Sequence, residues 1–255
     1  IEVFPFSYKE CLKYYDGQYS LDRYVREGGM PGTLLYREKD DKYKYIRDVF
    51  ETLIIKDITN KYSIRNKEVI HDLAYFMMDN ISSLTSANNI SKSLANANIK
   101  ITDKTIKLYM QYLKDSYLFY KVRRYDIKEK KCLATNDKYY LSDHSFRYAI
   151  IGTKNMDYGR VYENIVAIEL LRRGYEVYVG KLYKKEVDFV AIKQNEKIYF
   201  QVSDDISNQK TFDREVTSLL EIQDAYPKIL LANTHHDEYQ YEGVKIIDIE
   251  EWLKM

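Results

Sequence analysis

One carboxylate in a strand that ought to be buried constrains this chain more than any other feature. The run Glu186-Val187-Asp188-Phe189-Val190-Ala191-Ile192 is otherwise almost wholly apolar, as expected of a strand covered on both faces. An isolated buried carboxylate is strongly disfavoured unless it is paired, hydrogen-bonded or bound to a metal. Asp188 therefore needs partners, and its neighbours in sequence supply candidates. Alternation along a strand puts Asp188 on one face with Val190 and Ile192, and puts Tyr199, Gln201 and Ser203 together on the next strand. The thirteen residues from Asp188 to Gln201 leave room for a hairpin that brings the two side by side. Glu163 shares one face of a preceding helix with Ala167 and Leu170 and can reach the same place.

A hydrolytic nuclease needs such a cluster. Two carboxylates hold Mg²⁺, which polarises the scissile phosphate and activates water, and a lysine two residues after the second acid positions that water. The candidate metal ligands are Glu163 and Asp188. Gln201 stands where the second strand carboxylate belongs, and Ser203 where the lysine belongs. An amide oxygen is a weaker Mg²⁺ ligand and a serine brings no positive charge. Loss of a positioned acid–base group alone costs about 10²–10⁴ in rate. Glu163, Asp188, Gln201 and Ser203 thus form a degenerate catalytic constellation. Lys210 and Arg214 are candidate replacement cations, whereas Lys197 is too far along its strand. The competing expectation is a structural network in which Asp188 accepts hydrogen bonds from Arg160 or Arg214.

The surrounding pattern gives the fold. Asp157 to Arg173 reads as an amphipathic helix closed by Gly174. Strands follow at 176–179, 186–192 and 197–203, then a helix over 211–225, strands at 228–232 and 244–247, and a terminal helix. This order predicts a mixed sheet with helices on both faces. Upstream, Ser7 and Glu10 form a capping box, and helical spacing marks 40–59 and 66–80. A short helix spans 88–97, and Thr102 caps a second from Asp103 to about Leu118. Strands at 119–122 and 138–141 then flank a polar loop. Helix, turn, helix, hairpin is the order of a winged helix. The fold class expected is α+β or α/β: a helical, winged-helix-like region followed by a restriction-endonuclease-like mixed sheet flanked by helices. The divisions are a helical connector over 1–65, a winged-helix-like region over 66–152 and a nuclease-like domain over 153–255.

Charge matters only locally, since the formal net charge is +1. From Lys100 to Lys131 ten Lys or Arg stand against four Asp or Glu, and from Gln201 to Met255 five stand against twelve. The first segment suits a phosphate backbone, with Lys104, Lys107, Arg123, Arg124 and Lys128 as candidate nucleic-acid contacts; the second repels one. The alternative for the basic segment is a solvated surface or a docking face for another domain. Gly28 to Gly32 lacks the lysine of a phosphate-binding loop, so it reads as a turn and no ATP site is expected. His235-His236 reads as polar loop. Cys11 and Cys132 are far apart and expected to be free thiols of a reducing cytoplasm. No apolar run is long enough to span a membrane, no signal peptide is recognisable, and the start inside an apolar run without Met suggests a piece of a longer protein.

Taken in order, Pro5-Phe6-Ser7-Tyr8-Lys9-Glu10, Gly28-Gly29-Met30-Pro31, Gly159-Arg160-Val161-Tyr162-Glu163-Asn164, Glu186-Val187-Asp188-Phe189 and Gln201-Val202 resemble the carboxy-terminal part of AAA-family ATPases that carry the domain of unknown function numbered 4143. Thr211 to Glu215 and Tyr226-Pro227-Lys228 extend the likeness over nearly the whole chain. The resemblance implies an upstream ATPase domain that holds ATP, a winged-helix segment and a nuclease-like fold of the PD-(D/E)XK type. It also implies that Gln-Val on the third strand is a family trait. The expected function is a non-catalytic nuclease-fold module for nucleic-acid or partner recognition, with oligomers as one form of partnership. The alternatives are an active Mg²⁺- or Mn²⁺-dependent nuclease and a module for protein interaction only.

Overall fold

The computed structural model describes residues 2–96, 99, 101–134, 136–153 and 156–255. The expected helix end at Ala97 and the Lys100 start of the basic segment lie outside the described residues.

Local sequence chemistry sets most element ends. Helix α1 (Tyr8–Tyr14) starts at Ser7, whose hydroxyl and Glu10 carboxylate complete the capping box. Helix α2 (Leu21–Glu27) ends at Gly28, with φ of 68°. A 3-10 turn, Pro31–Leu35, leads to α3 (Lys39–Thr52), which widens into a π-helical stretch over Leu53–Asn60. Next come α4 (Lys67–Asp79), α5 (Ala87–Asn96) and α6 (Asp103–Asp115), the last capped by Thr102. Their apolar faces, including Ile46, Ile54, Leu73, Ile90, Ile106 and Leu113, close one core.

Strands β1 (Phe119–Val122) and β4 (Lys138–Leu141) pair antiparallel, with Val122 opposite Lys138. The segment between them is not the free polar loop expected. Its β2 (Arg124–Asp126) and β3 (Lys131–Cys132) leave the hairpin and extend a larger sheet. Strand β2 runs parallel to β5 (Glu176–Leu182), where its backbone groups find partners that a loop would leave to water.

Among the described residues, eight strands form this mixed sheet in the order β3-β2-β5-β6-β7-β8-β10-β9. The remaining strands are β6 (Lys185–Lys193), β7 (Glu196–Ser203), β8 (Lys228–Ala232), β9 (Tyr239–Tyr241) and β10 (Val244–Asp248). Strand β9 was not expected. It is a short exposed edge paired with β10. Helix α7 (Ser145–Ile150) joins the hairpin to α8 (Tyr158–Arg172). Helices α8 and α10 (Ile249–Lys254) cover one sheet face with α1 and α2, while α9 (Gln209–Leu220) covers the other. Helix α8 is not amphipathic as expected. Every residue from Val161 to Leu170 is buried, because the helix lies between the sheet and the β1–β4 hairpin.

The fold is therefore α+β, with helices and a mixed sheet. Among the described residues no helix is long and apolar enough to cross a membrane. Cys11 is buried, Cys132 is exposed, and both are free.

Candidate functional site

The site begins with a defect in strand pairing. Tyr178 of β5 pairs with Val190 of β6, but Gly180 pairs with Val187. Strand β6 thus carries one extra residue across Asp188 and Phe189, a bulge. Simple alternation fails there: Val187 and Val190 both join the α9-side core, whereas Phe189 and Ala191 join the α8-side core. Asp188 sits at the bulge itself, close to Lys138 on one side and lining the space against α9 on the other. The ladder between β6 and β7 stops at Phe189 and Phe200. Beyond it, Asp188 fills the gap between strands, its Oδ2 accepting from the Val202 N–H at 2.9 Å. Its own N–H donates to Gln201 Oε1 at 3.3 Å.

Sequence reasoning brought Glu163, Asp188 and Gln201 together, and so does the fold. It missed what stands among them. Lys138, first residue of β4, is buried and sends its ammonium to Glu163 Oε1 at 2.9 Å and Glu186 Oε1 at 2.6 Å, with Asp188 Oδ1 at 3.9 Å. Tyr140 donates its hydroxyl to the same Glu163 oxygen at 2.7 Å. Neither Lys210 nor Arg214 provides the cation: Arg214 reaches sideways to Glu215, with Nε at 2.9 Å. Nor does Asp188 draw on Arg160 or Arg214, since Arg160 pairs with Asp157 at 3.2 Å. A lysine beginning the apolar strand Lys138-Tyr139-Tyr140-Leu141 was the signal available in the sequence.

Gln201 has a second neighbour, its Nε2 donating to the buried Glu215 at 2.8 Å. Ser203 turns away and donates to the Asp205 carbonyl at 3.0 Å. Asn164 locks the hairpin onto α8, exchanging hydrogen bonds of 2.7 and 3.0 Å with both backbone groups of Leu141. A cleft of about 510 Å³ between β6, β7 and α9 opens the cluster to solvent along Glu186, Asp188, Gln201, Arg214 and Glu215.

Electrostatics follow from burial. The carboxylates hold Lys138 charged, pushing its pKa up against the cost of desolvation. Desolvation raises the pKa of Glu163, and Lys138 offsets this only in part. Asp188 is raised well above the usual range, by desolvation and then by repulsion from Glu163. One cation thus serves three carboxylates.

The donor set does not fit a divalent ion as it stands. The Glu163 oxygen that faces Asp188's partner Lys138 already accepts two bonds, Asp188 Oδ2 is held by a backbone N–H, and an ammonium sits between the two acids. Among the described residues no group of three His, Cys, Asp or Glu is arranged to hold a metal.

The candidate nucleic-acid contacts divide between two places. Lys104 and Lys107 are exposed on α6. Arg123 and Arg124 lie at the start of β2, Arg124 half-buried. Exposed Lys128 sits 4.9 Å over the Tyr183 ring, beyond the end of β2.

Comparison with known proteins gives relatives but no activity. An uncharacterized protein of Haemophilus influenzae is 34% identical over 260 residues, which covers 99% of this chain and 64% of that protein. An uncharacterized protein of Methanocaldococcus jannaschii is 26% identical over 278 residues, covering 100% of this chain and 61% of that protein. The chain thus spans less than two thirds of the length of these relatives. No solved structure matches. The family described as a domain of unknown function, DUF8612, matches residues 18–157, more than half of the chain and the segment that contributes Lys138 and Tyr140, and the chain belongs to that family.

Proposed function

We propose that the chain is a recognition module of a larger AAA-family ATPase, with a winged-helix-like segment and a nuclease-like sheet that binds without cleaving. One observation carries this reading: the Lys138 ammonium lies among Glu163, Glu186 and Asp188, where a hydrolytic site would place its metal. The cluster's counter-ion then comes from the fold itself, and Gln201 and Ser203 add neither an acid nor a cation. The nuclease-like reading of the sheet rests on Glu163 from a buried helix meeting Asp188 and Gln201 on adjacent strands. The ATPase reading rests on the motif resemblance and on the greater length of the relatives. The ligand favoured is a nucleic acid, because the basic segment is the one region of excess positive charge noted in the sequence.

The same lysine supports a second reading. Within 3.9 Å of Asp188, it supplies from another strand the cation that Ser203 lacks; the alternative function, a Mg²⁺- or Mn²⁺-dependent nuclease, would require this ammonium to leave the space between the two acids when a metal enters. Incubating the purified chain with labelled single- and double-stranded DNA and RNA, with Mg²⁺ or Mn²⁺, separates the two. The recognition reading expects retention that weakens with salt and intact strands throughout. Cleavage abolished in Asp188→Ala would establish the nuclease instead.

A further inference from the structure

The β1–β4 hairpin has two faces with opposite charge environments. Lys138 and Tyr140 point to the acidic cluster, as their bonds to Glu163 show. Asp137 and Tyr139 line a separate cleft of about 480 Å³ between the hairpin, α5 and α6. Into this cleft come Lys107 and Lys114 from α6 and Lys121 from β1. We infer that this three-lysine cleft is a binding site for the phosphodiester backbone of a nucleic acid. The inference rests on the nucleic-acid reading above and locates it.

Three observations favour that ligand. First, Lys107 and Lys114 are two helical turns apart, about 10 Å along the axis, a spread that suits a backbone of repeated phosphates better than one small anion. Lys107 forms no ion pair with a described residue. Lys114 has the exposed Asp115 at 3.6 Å, and Lys121 pairs with Asp137 of the lining at 2.8 Å, which leaves the cleft with an excess of positive charge. Second, apart from Asp137, which is paired with Lys121, the other polar lining is hydroxyl and amide: Thr85, Ser86, Gln111 and Asn136. These groups meet phosphate and sugar oxygens as readily as lysines do. Third, the apolar lining is sunk. Met110, Ala87 and Tyr139 are all buried, so the cleft lacks the protruding aromatic or aliphatic anchor on which protein interfaces depend. Arg123, Arg124 and Lys128 line no part of it; their segment has been drawn into the large sheet.

The test is fluorescence anisotropy of the full chain with labelled single- and double-stranded DNA and RNA across a range of salt. Replacing Lys107, Lys114 and Lys121 by Gln should lower the salt slope by about three, one per phosphate contact, and weaken low-salt binding at least about tenfold. A charge-matched variant with Gln at the exposed Lys13, Lys39 and Lys67 should keep the slope. If the cleft variant is unstable, Lys107→Gln with Lys114→Gln should lower the slope by about two. Full binding in a folded cleft variant, with loss in Arg123→Gln/Arg124→Gln/Lys128→Gln, would overturn the inference and leave the nucleic-acid reading standing. Absence of salt-dependent binding to any nucleic acid would overturn both. Equal affinity for polyglutamate would assign the cleft to an acidic protein instead.

Discussion

A buried lysine facing three carboxylates is stable only as a set. Lys138, Glu163 and Asp188 have given up water while Glu186 keeps part of its own, and Lys138 compensates all three carboxylates together. Removing one member of a buried ionic set leaves uncompensated charge, at a cost of about 3–5 kcal/mol. Lys138→Ala should therefore lose stability in that range near neutral pH. The dependence on pH has a definite sign. Glu163 and Asp188 have raised pKa values in the fold, so the folded state binds their protons more tightly than the unfolded chain does. Their contribution is fully present below the ordinary carboxylate pKa of about 4 and is lost as pH rises through the folded values. Without Lys138 their ionisation is more unfavourable still. The deficit of Lys138→Ala should shrink as pH falls from neutral to about pH 5. Urea midpoints of both proteins at the two pH values measure this. A deficit that is the same at both, or below about 1 kcal/mol, would show that Lys138 is not the shared counter-ion.

At the scale of elements, close backbone approach joins the amino-terminal strap to the rest. The Phe6 N–H donates to the Gly29 carbonyl at 2.7 Å, and the Gly29 N–H donates to Asp143 Oδ2 at 2.8 Å. A Cβ on Gly29 would lie 1.9 Å from the Phe6 carbonyl oxygen, which is backbone and cannot swing aside. Gly29→Ala should destabilise by at least about 1–3 kcal/mol, as overpacking does. A thermal melt close to wild type would mean that strap and turn separate freely. The same contrast between local and distant chemistry explains what could be read from the sequence. Ser7 with Glu10, the Thr102 cap and the strand hosting Asp188 are fixed by residues within a few positions, and each matches its expectation. Lys138 is 25 residues from Glu163, so its role depends on where a hairpin docks. The bulge at Asp188 depends on which residues β5 offers opposite it. Parallel pairing of β2 with β5 joins segments some fifty residues apart, and no local pattern announces it.

Those long-range joins make the whole chain one folding unit. The α4–α6 core and the large sheet share a continuous segment: β1 and β4 close the helical core, while β2 and β3, lying between them in sequence, belong to the sheet. Lys138 and Asn164 fasten the hairpin to α8, and Tyr8 donates to Glu250 at 2.7 Å, tying the amino-terminal helix to the last one. Neither core can melt without exposing strands or buried charges of the other, so equilibrium unfolding should be a single transition despite the chain's length. Two probes report on different parts. Trp252, the sole tryptophan, is buried against Phe200 and lies under Arg173, whose guanidinium is 4.1 Å from its ring, so its fluorescence reports the sheet side. Far-ultraviolet circular dichroism is dominated by the helices, of which α3 to α7 lie on the other side. The two urea curves should superimpose in the wild type. In Lys138→Ala, where the main ionic join between hairpin and sheet is cut, the dichroism curve should move to lower urea than the fluorescence curve. Separated curves already in the wild type would show that the shared strands do not couple the cores, and coincident curves in the variant would show that the strand joins alone suffice without the lysine.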